Sequence, residues 1–345
     1  MTVTEIQSKT TDLAAYLEQH IPGFSGPLSL EKFPGGQSNP TYLLTAASGR
    51  YVLRGKPPGE LLASAHAVDR EYRVLRALAE TGVPVAKVFH LCEDDSVMGA
   101  MFYVMSYEEG RIFWDPALPE LPRDQRRAML EEQVRVLAAL HSVDVDAVGL
   151  SDYGRPGNYY GRQISRWTMQ YKAAETELIP AMETLMQWLP ENMPSGDETV
   201  SLIHGDYRLD NLIYHPEEPR VLAVLDWELS TLGDPIADLA YLCMCMRLPK
   251  ISTLQGLAGK NLAELGLPDE REVIALYCEF RGIERIENWL FYLAFSYFRL
   301  AAICQGVYAR GQSGNASDAN AASRKNVAPD LARMATELLE GGNEL

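Results

Sequence analysis

The segment LIHGDYRLDNLIYH, from Leu202 to His215, sets His204, Asp206, Arg208, Asp210, Asn211 and His215 between apolar residues. The surrounding pattern reads as buried sheet, where polar groups are costly unless something holds them. Within it, His204, Asp206 and Asn211 form His-x-Asp-x-x-x-x-Asn, and a second acid, Asp226, follows after a PEEP turn. Phosphoryl transfer needs this set. One carboxylate orients or deprotonates an attacking hydroxyl, and an amide oxygen with another carboxylate holds Mg²⁺ against nucleotide phosphates. The same residues could instead cap a turn and satisfy backbone groups.

SLIHGD, NLIYH and VLAVLDW read as short strands, the last two joined as a hairpin by PEEP. One hairpin would thus hold an acid before its first strand and another after its second. Upstream, Thr11 to His20 reads as a short helix. LSLEKFPGGQSNPTYLLTAASGRYVLRGKP then reads as three strands with glycine turns, Gly49 serving the second turn. Ser64 is expected to cap a helix ended by Gly82, and VAKVFHLCEDDSVMGAMFYVMSY reads as two strands around an acidic turn. Past Glu108–Gly110 the pattern turns helical, over 123–141, 163–189, 234–246, 269–280 and 286–309. The segment from Arg310, RGQSGNASDANAASRKN, reads as a loop before a final helix.

These elements predict an α+β chain, an antiparallel sheet with one helix followed by a mostly helical lobe. The expected boundary divides 1–106 from 107–345, with a hinge near 105–110. Across 345 residues, 47 acidic against 31 basic side chains leave a net charge of −16, unfavourable for nucleic acid or anionic membrane. Five cysteines without a CxxC pair offer no disulfide framework or zinc signature. The N-terminal stretch lacks a secretory pattern, so cytoplasmic residence is expected. WLFYLAFSYFRLAAICQGVYA, from Trp289, is interrupted by Arg299 and is expected to be a buried helix rather than a membrane span.

HGDYRLDNLIYH and DWELSTLGDPIADLAY resemble the aminoglycoside phosphotransferase and choline kinase family, which shares the bilobal protein kinase fold. YVLRGKPPG and SAHAVDREYRVLRAL are similar, more narrowly, to kinase domains associated with acyl-CoA dehydrogenases. The resemblance covers nearly the whole chain. It implies Asp206 as catalytic base, Asn211 and Asp226 as Mg²⁺ ligands, and His204 as a structural brace. ATP is the implied cofactor, with GTP also compatible. FPGGQSNPTY stands where a nucleotide-covering loop belongs, so Gly35, Gly36 and Ser38 are candidate phosphate contacts. Arg54 occupies the place of the kinase lysine, with Glu71 as its helix partner and Lys56 as a second candidate. Arg208 is expected to reach the γ-phosphate. Asp234 and Asp238 are expected to cap and anchor the following helix, and backbone groups near Ser106 and Glu108 to read adenine.

Twelve positions separate Asp226 from Asp238, too few for a segment that lays out a peptide. A small-molecule hydroxyl is therefore the expected acceptor, with Tyr160, Arg162, Trp167 and Glu228 as candidate contacts. The resemblance favours a hydroxyacyl-type acceptor over an antibiotic. Two rival readings are a catalytically silent nucleotide-binding module and a hydrolase using paired aspartates. The expected assembly is a monomer or homodimer.

Overall fold

The computed structural model describes residues 3–33, 39–57, 67–195, 199–312 and 325–341. Two compact units share the chain, the first comprising Met1–Arg111 with Ile213–Pro216 and Leu222–Glu228, the second the remainder.

The first unit begins with α1 (Val3–His20), which starts earlier than the expected Thr11. Strands β1 (Ser29–Lys32), β2 (Thr41–Ala46) and β3 (Gly49–Gly55) follow, then α2 (Val68–Leu78). After β4 (Val88–Cys92), a single helical turn, α3 (Asp95–Met98), stands in the acidic turn before β5 (Phe102–Ser106). The five strands form one antiparallel sheet in the order β1-β2-β3-β5-β4. Leu44, Leu53, Phe102 and Val104 from the sheet pack with Leu13, Leu17 and Ile21 of the α1 segment. At the β2–β3 turn Gly49 takes φ +140°, as the hairpin requires. Helix α2 stops at Leu78 rather than Gly82, where the Thr81 N–H and hydroxyl both donate to the Leu78 carbonyl, at 2.9 and 2.7 Å. Ser64, the expected cap, lies outside the described residues.

The second unit opens with α4 (Arg123–His141). The expected helix over 163–189 is two helices, α5 (Tyr159–Ala173) and α6 (Pro180–Glu191). Helix α5 has already ended at Ala173, and Pro180, with no N–H to donate and an extended Ile179 before it, begins α6. Next come β6 (Ser201–Ile203), then the ribbon of β7 (Leu212–Tyr214) and β8 (Val221–Val224), whose facing parts are counted with the first unit. A further strand, β9 (Thr231–Gly233), pairs antiparallel with β6. The helices resume as α7 (Ile236–Arg247), the single turn α8 (Leu262–Leu265), α9 (Glu270–Arg281), α10 (Trp289–Gln312) and α11 (Ala328–Gly341). Helix α10 is long and apolar enough to cross a bilayer, but 72% of its most apolar window is buried against its own chain. It packs on α5, α7 and α11 as a core helix. The Asn315–Ser317 part of the expected loop lies outside the described residues.

Candidate active site

In the first unit Arg54 projects from β3 and joins two carboxylates. Its Nε donates to Glu71 Oε2 and its NH2 to Asp226 Oδ1, both at 2.7 Å. Glu71 lies on α2 yet is only 2% exposed. Asn39 Nδ2 donates to its other oxygen at 2.7 Å, and the Tyr103 hydroxyl donates to Oε2 at 3.1 Å. Burial pushes the Glu71 carboxyl up, against the opposing pull of Arg54. Burial lowers the Arg54 guanidinium, but Glu71, Tyr103 and Asp226 raise it further than burial depresses it. Asp226 follows β8 with φ +62°, a left-handed backbone that a side chain rarely adopts and that surrounding structure must impose. Beside it, Trp227 Nε1 ties back to the Val224 carbonyl at 2.9 Å.

The loop carrying Asp206, in the second unit, is held by its backbone. Asp238 on α7 accepts the His204 N–H at 2.6 Å and the Gly205 N–H at 2.8 Å. His141 Nε2 lies 3.3 Å from Asp238, and its Nδ1 lies 2.7 Å from the Tyr277 hydroxyl. An ionised Asp238 only accepts, so Nε2 carries the proton and Tyr277 donates to Nδ1. Arg299 of α10 closes the other side, donating from NH2 to the Gly205 carbonyl at 2.6 Å. Gly205 sits at φ +85°, and a Cβ there would meet the Leu229 carbonyl oxygen at 2.7 Å, so glycine is required. The Asp206 N–H donates to His204 Nδ1 at 3.2 Å. Asn211 Nδ2 then reaches the Asp206 carbonyl at 2.9 Å and its carboxylate at 3.2 Å. The polar run inside an apolar pattern is thus a set of groups that satisfy one another.

Burial raises the Asp206 carboxyl, opposed by Arg208, a hydrogen bond from Tyr241, His204 and Arg299. Burial also pushes Asp238 up, but there the donors from His141 and His204 outweigh it and hold the group below the ordinary carboxylate range. His141 is depressed by burial, despite Asp238 beside it. Arg208 turns back onto Asp210 in a two-pronged pair rather than standing free for a phosphate.

The other expected residues are more dispersed. Asp234 accepts the Ile236 N–H at 2.8 Å one position before Pro235, the N-cap of α7, whereas Asp238 anchors the loop rather than the helix end. Lys56 sits 3.9 Å from Asp69 near the surface. The Ser106 N–H is spent on the Lys87 carbonyl at 2.8 Å, and its hydroxyl donates to Glu108 at 2.5 Å. A base would therefore be read from backbone beyond Ser106. Tyr160 does not line a cleft; it is 4% exposed, with its ring among Phe291, Tyr292 and Phe295. Trp167 is likewise buried, its Nε1 donating to Gln163, and Arg162 donates to the Arg155 carbonyl. Glu228 is exposed. Gly35, Gly36 and Ser38 lie outside the described residues.

Four residues that matter here escaped the sequence reading: Asn39, His141, Tyr241 and Arg299. Arg299 left a signal, a lone cation in an apolar helix, which served only to argue against a membrane span. Its guanidinium is 6% exposed, with the Trp167 and Tyr241 rings at 5.7 and 5.9 Å.

The donor chemistry fits Mg²⁺. Asn211 commits its amide nitrogen to Asp206, which turns its oxygen away and leaves it available to a cation. Asp226 is 37% exposed, and only Oδ1 is engaged by Arg54. Amide and carboxylate oxygens are hard ligands, and Mg²⁺ takes its remaining positions from water and phosphate.

A five-stranded antiparallel sheet whose β3 cation grips a helix-borne glutamate, followed by a helical unit bearing a His-x-Asp loop, defines the protein-kinase-like class. Residues 29–274 match the phosphotransferase enzyme family. The chain belongs to that family, whose membership implies ATP-dependent phosphoryl transfer to a small molecule. It is 49% identical over 325 residues to mouse acyl-CoA dehydrogenase family member 10, covering 92% of this chain and 30% of that protein. Human acyl-CoA dehydrogenase family member 11 is 44% identical over 333 residues, covering 94% and 42%. The chain thus spans well under half the length of these relatives. A crystal structure from Ralstonia eutropha, named for the aminoglycoside phosphotransferases, shares 49% identity, covers 97% of this chain and 99% of its own, and superposes with a TM-score of 0.88. An aminoglycoside phosphotransferase solved with ADP and hygromycin B shares the fold at 15% identity and a TM-score of 0.61, covering 96% and 99%.

Proposed function

We propose that this protein transfers the γ-phosphate of ATP to the hydroxyl of a small molecule, with a hydroxyacyl-type acceptor favoured over an antibiotic. The observation that carries the reading is the Asp206 carboxylate, half-buried, with Asn211 at 3.2 Å, on a peptide clamped by Asp238 and Arg299. Asp206 orients the acceptor hydroxyl and takes its proton as the oxygen attacks Pγ. The Pγ–O bond to the β-phosphate breaks, and ADP leaves with that electron pair. A carboxyl raised by burial is a better base near neutral pH than an ordinary aspartate. Asn211 and Asp226 would hold Mg²⁺. When bound, that ion neutralises charge on the phosphates. Arg54, fixed by Glu71, would contact the α- and β-phosphates in the lysine's place, and a guanidinium can serve two anions where an ammonium offers one point charge. The hinge would run through 105–110. What supports that acceptor is that a region similar to this chain occurs within longer proteins named acyl-CoA dehydrogenase family members 10 and 11.

Asp206→Asn tests the reading. Transfer should fall by about two to four orders of magnitude while Mg²⁺-ATP still binds. Full transfer by Asp206→Asn on an acceptor verified with the native protein would remove Asp206 from the base role.

A further inference from the structure

A cavity of about 470 Å³ lies wholly within the second unit, next to Asp206. Tyr241, which hydrogen-bonds Asp206, and Arg208, two residues on, both line it. Its volume falls within the roughly 300–1,000 Å³ range of small-molecule sites. Away from Tyr241 and Arg208 the wall is largely hydrocarbon, with Leu130, Leu242, Met246, Leu254, Leu257 and Leu300, interrupted by the polar side chains of Gln133, Thr253 and Gln255. Asp210 is the one carboxylate on the wall, and Arg208 already engages it through two hydrogen bonds. A polycation would find no unpaired acid there, and desolvating its ammonium groups against leucine would be costly. Trp114 also lines the cavity and is 73% exposed, the most exposed large hydrophobic side chain among the described residues. An indole left in solvent at such an edge gains most by closing over an apolar guest.

We propose that this cavity is the specificity pocket for the acceptor: it receives an unbranched hydrocarbon tail from the molecule whose hydroxyl meets Asp206, and Leu254 and Trp114 set the tail length. The proposal rests on the kinase reading for the identity of that molecule, but not for the pocket's affinity for aliphatic chains. Each methylene buried there should improve kcat/KM about fourfold until the pocket is full.

The purified protein would be assayed for ADP release with unbranched hydroxyalkanoates of four to ten carbons, as free acids and as coenzyme A thioesters, with kanamycin as the polycation. The native chain should show the rising series, and Leu254→Trp should bring its plateau two or three carbons earlier, lowering the long-to-short ratio about tenfold or more. In parallel, binding of 1-octanol without nucleotide should be saturable and weakened about tenfold by Leu254→Trp. Trp114→Ala changes an exposed side chain, so its fold is not at risk, and it should weaken octanol several-fold. Octanol binding with no alcohol phosphorylated would keep the aliphatic site and reject the kinase reading alone. Absence of saturable octanol binding, equal loss at every chain length in Leu254→Trp, or kanamycin as the best acceptor would overturn the proposal.

Discussion

Glu71 and Asp238 are enclosed to nearly the same degree, at 2% and 0% exposure, yet their acidities move in opposite directions. Asp238 is met by two backbone N–H groups and an imidazole, all held in place by the fold. Glu71 depends chiefly on one guanidinium, which it shares with Asp226. Fixed dipoles can outweigh the cost of burial, whereas a divided cation leaves an acid that burial still raises. The first arrangement suits a scaffold. The second suits a place where charges are exchanged with a ligand.

Four measurements would break or sharpen this contrast. The largest effect is expected for Asp238→Ala, which strands the His204 and Gly205 N–H groups in the interior. It should cost about 3–5 kcal/mol in urea unfolding, and Asp238→Asn, which keeps an acceptor, should cost less. Equal losses would mean that Asp238 acts by its charge. Arg54→Met should follow, costing about 1–3 kcal/mol and weakening nucleotide binding at least tenfold. Adding Glu71→Gln should recover stability without recovering the nucleotide, a split that a double-mutant cycle would resolve.

The pH dependence is subtler and differs in sign between the regions. His141 has a lowered pKa in the folded state, so the unfolded chain binds more protons below about pH 6.5. Stability should therefore fall as pH drops through that range, with a limiting slope of about 1.4 kcal/mol per pH step of one, and His141→Gln should flatten this limb. Glu71, raised in the folded state, tilts the curve the other way, its contribution fading as pH rises from about 4.3 through the folded value. Thermal melts of His141→Gln and Glu71→Gln across pH 4–8 would show whether the slopes oppose. The smallest effect is expected for Arg299→Lys, which keeps a charge and one donor for the Gly205 carbonyl. It should lower kcat about threefold to tenfold and leave nucleotide affinity alone.

Most of the architecture was legible because its signals are local. Helix α4 matched its expected limits, and α7, α9 and α10 came within three residues of theirs. Local signals failed where a longer-range partner decided the outcome. Strand β9 is three residues long and exists only because β6 pairs with it. The expected helix over 163–189 is interrupted between Ala173 and Pro180, where proline marks the start of a second helix. In the site, Asp206, Asn211 and Arg54 stood out by spacing or by strand context. Asn39, His141, Tyr241 and Arg299 did not, since their partners lie between 32 and 97 positions away, and no periodicity reports such a contact. Tyr160 and Trp167 are buried rather than cleft-lining, and their burial was illegible for a different reason: an aromatic residue on a helix reads alike in sequence whether it faces a cleft or the core.

The first unit is not a contiguous stretch of chain. Arg111 pairs with Tyr214, and the β8 end that carries Asp226 reaches back to the Pro84 carbonyl through the Val224 N–H at 2.9 Å. A recombinant piece cut at 111 would lack part of its own body. On the ribosome, this unit cannot be completed until residue 228 has emerged, more than a hundred residues after its first stretch ends at Arg111.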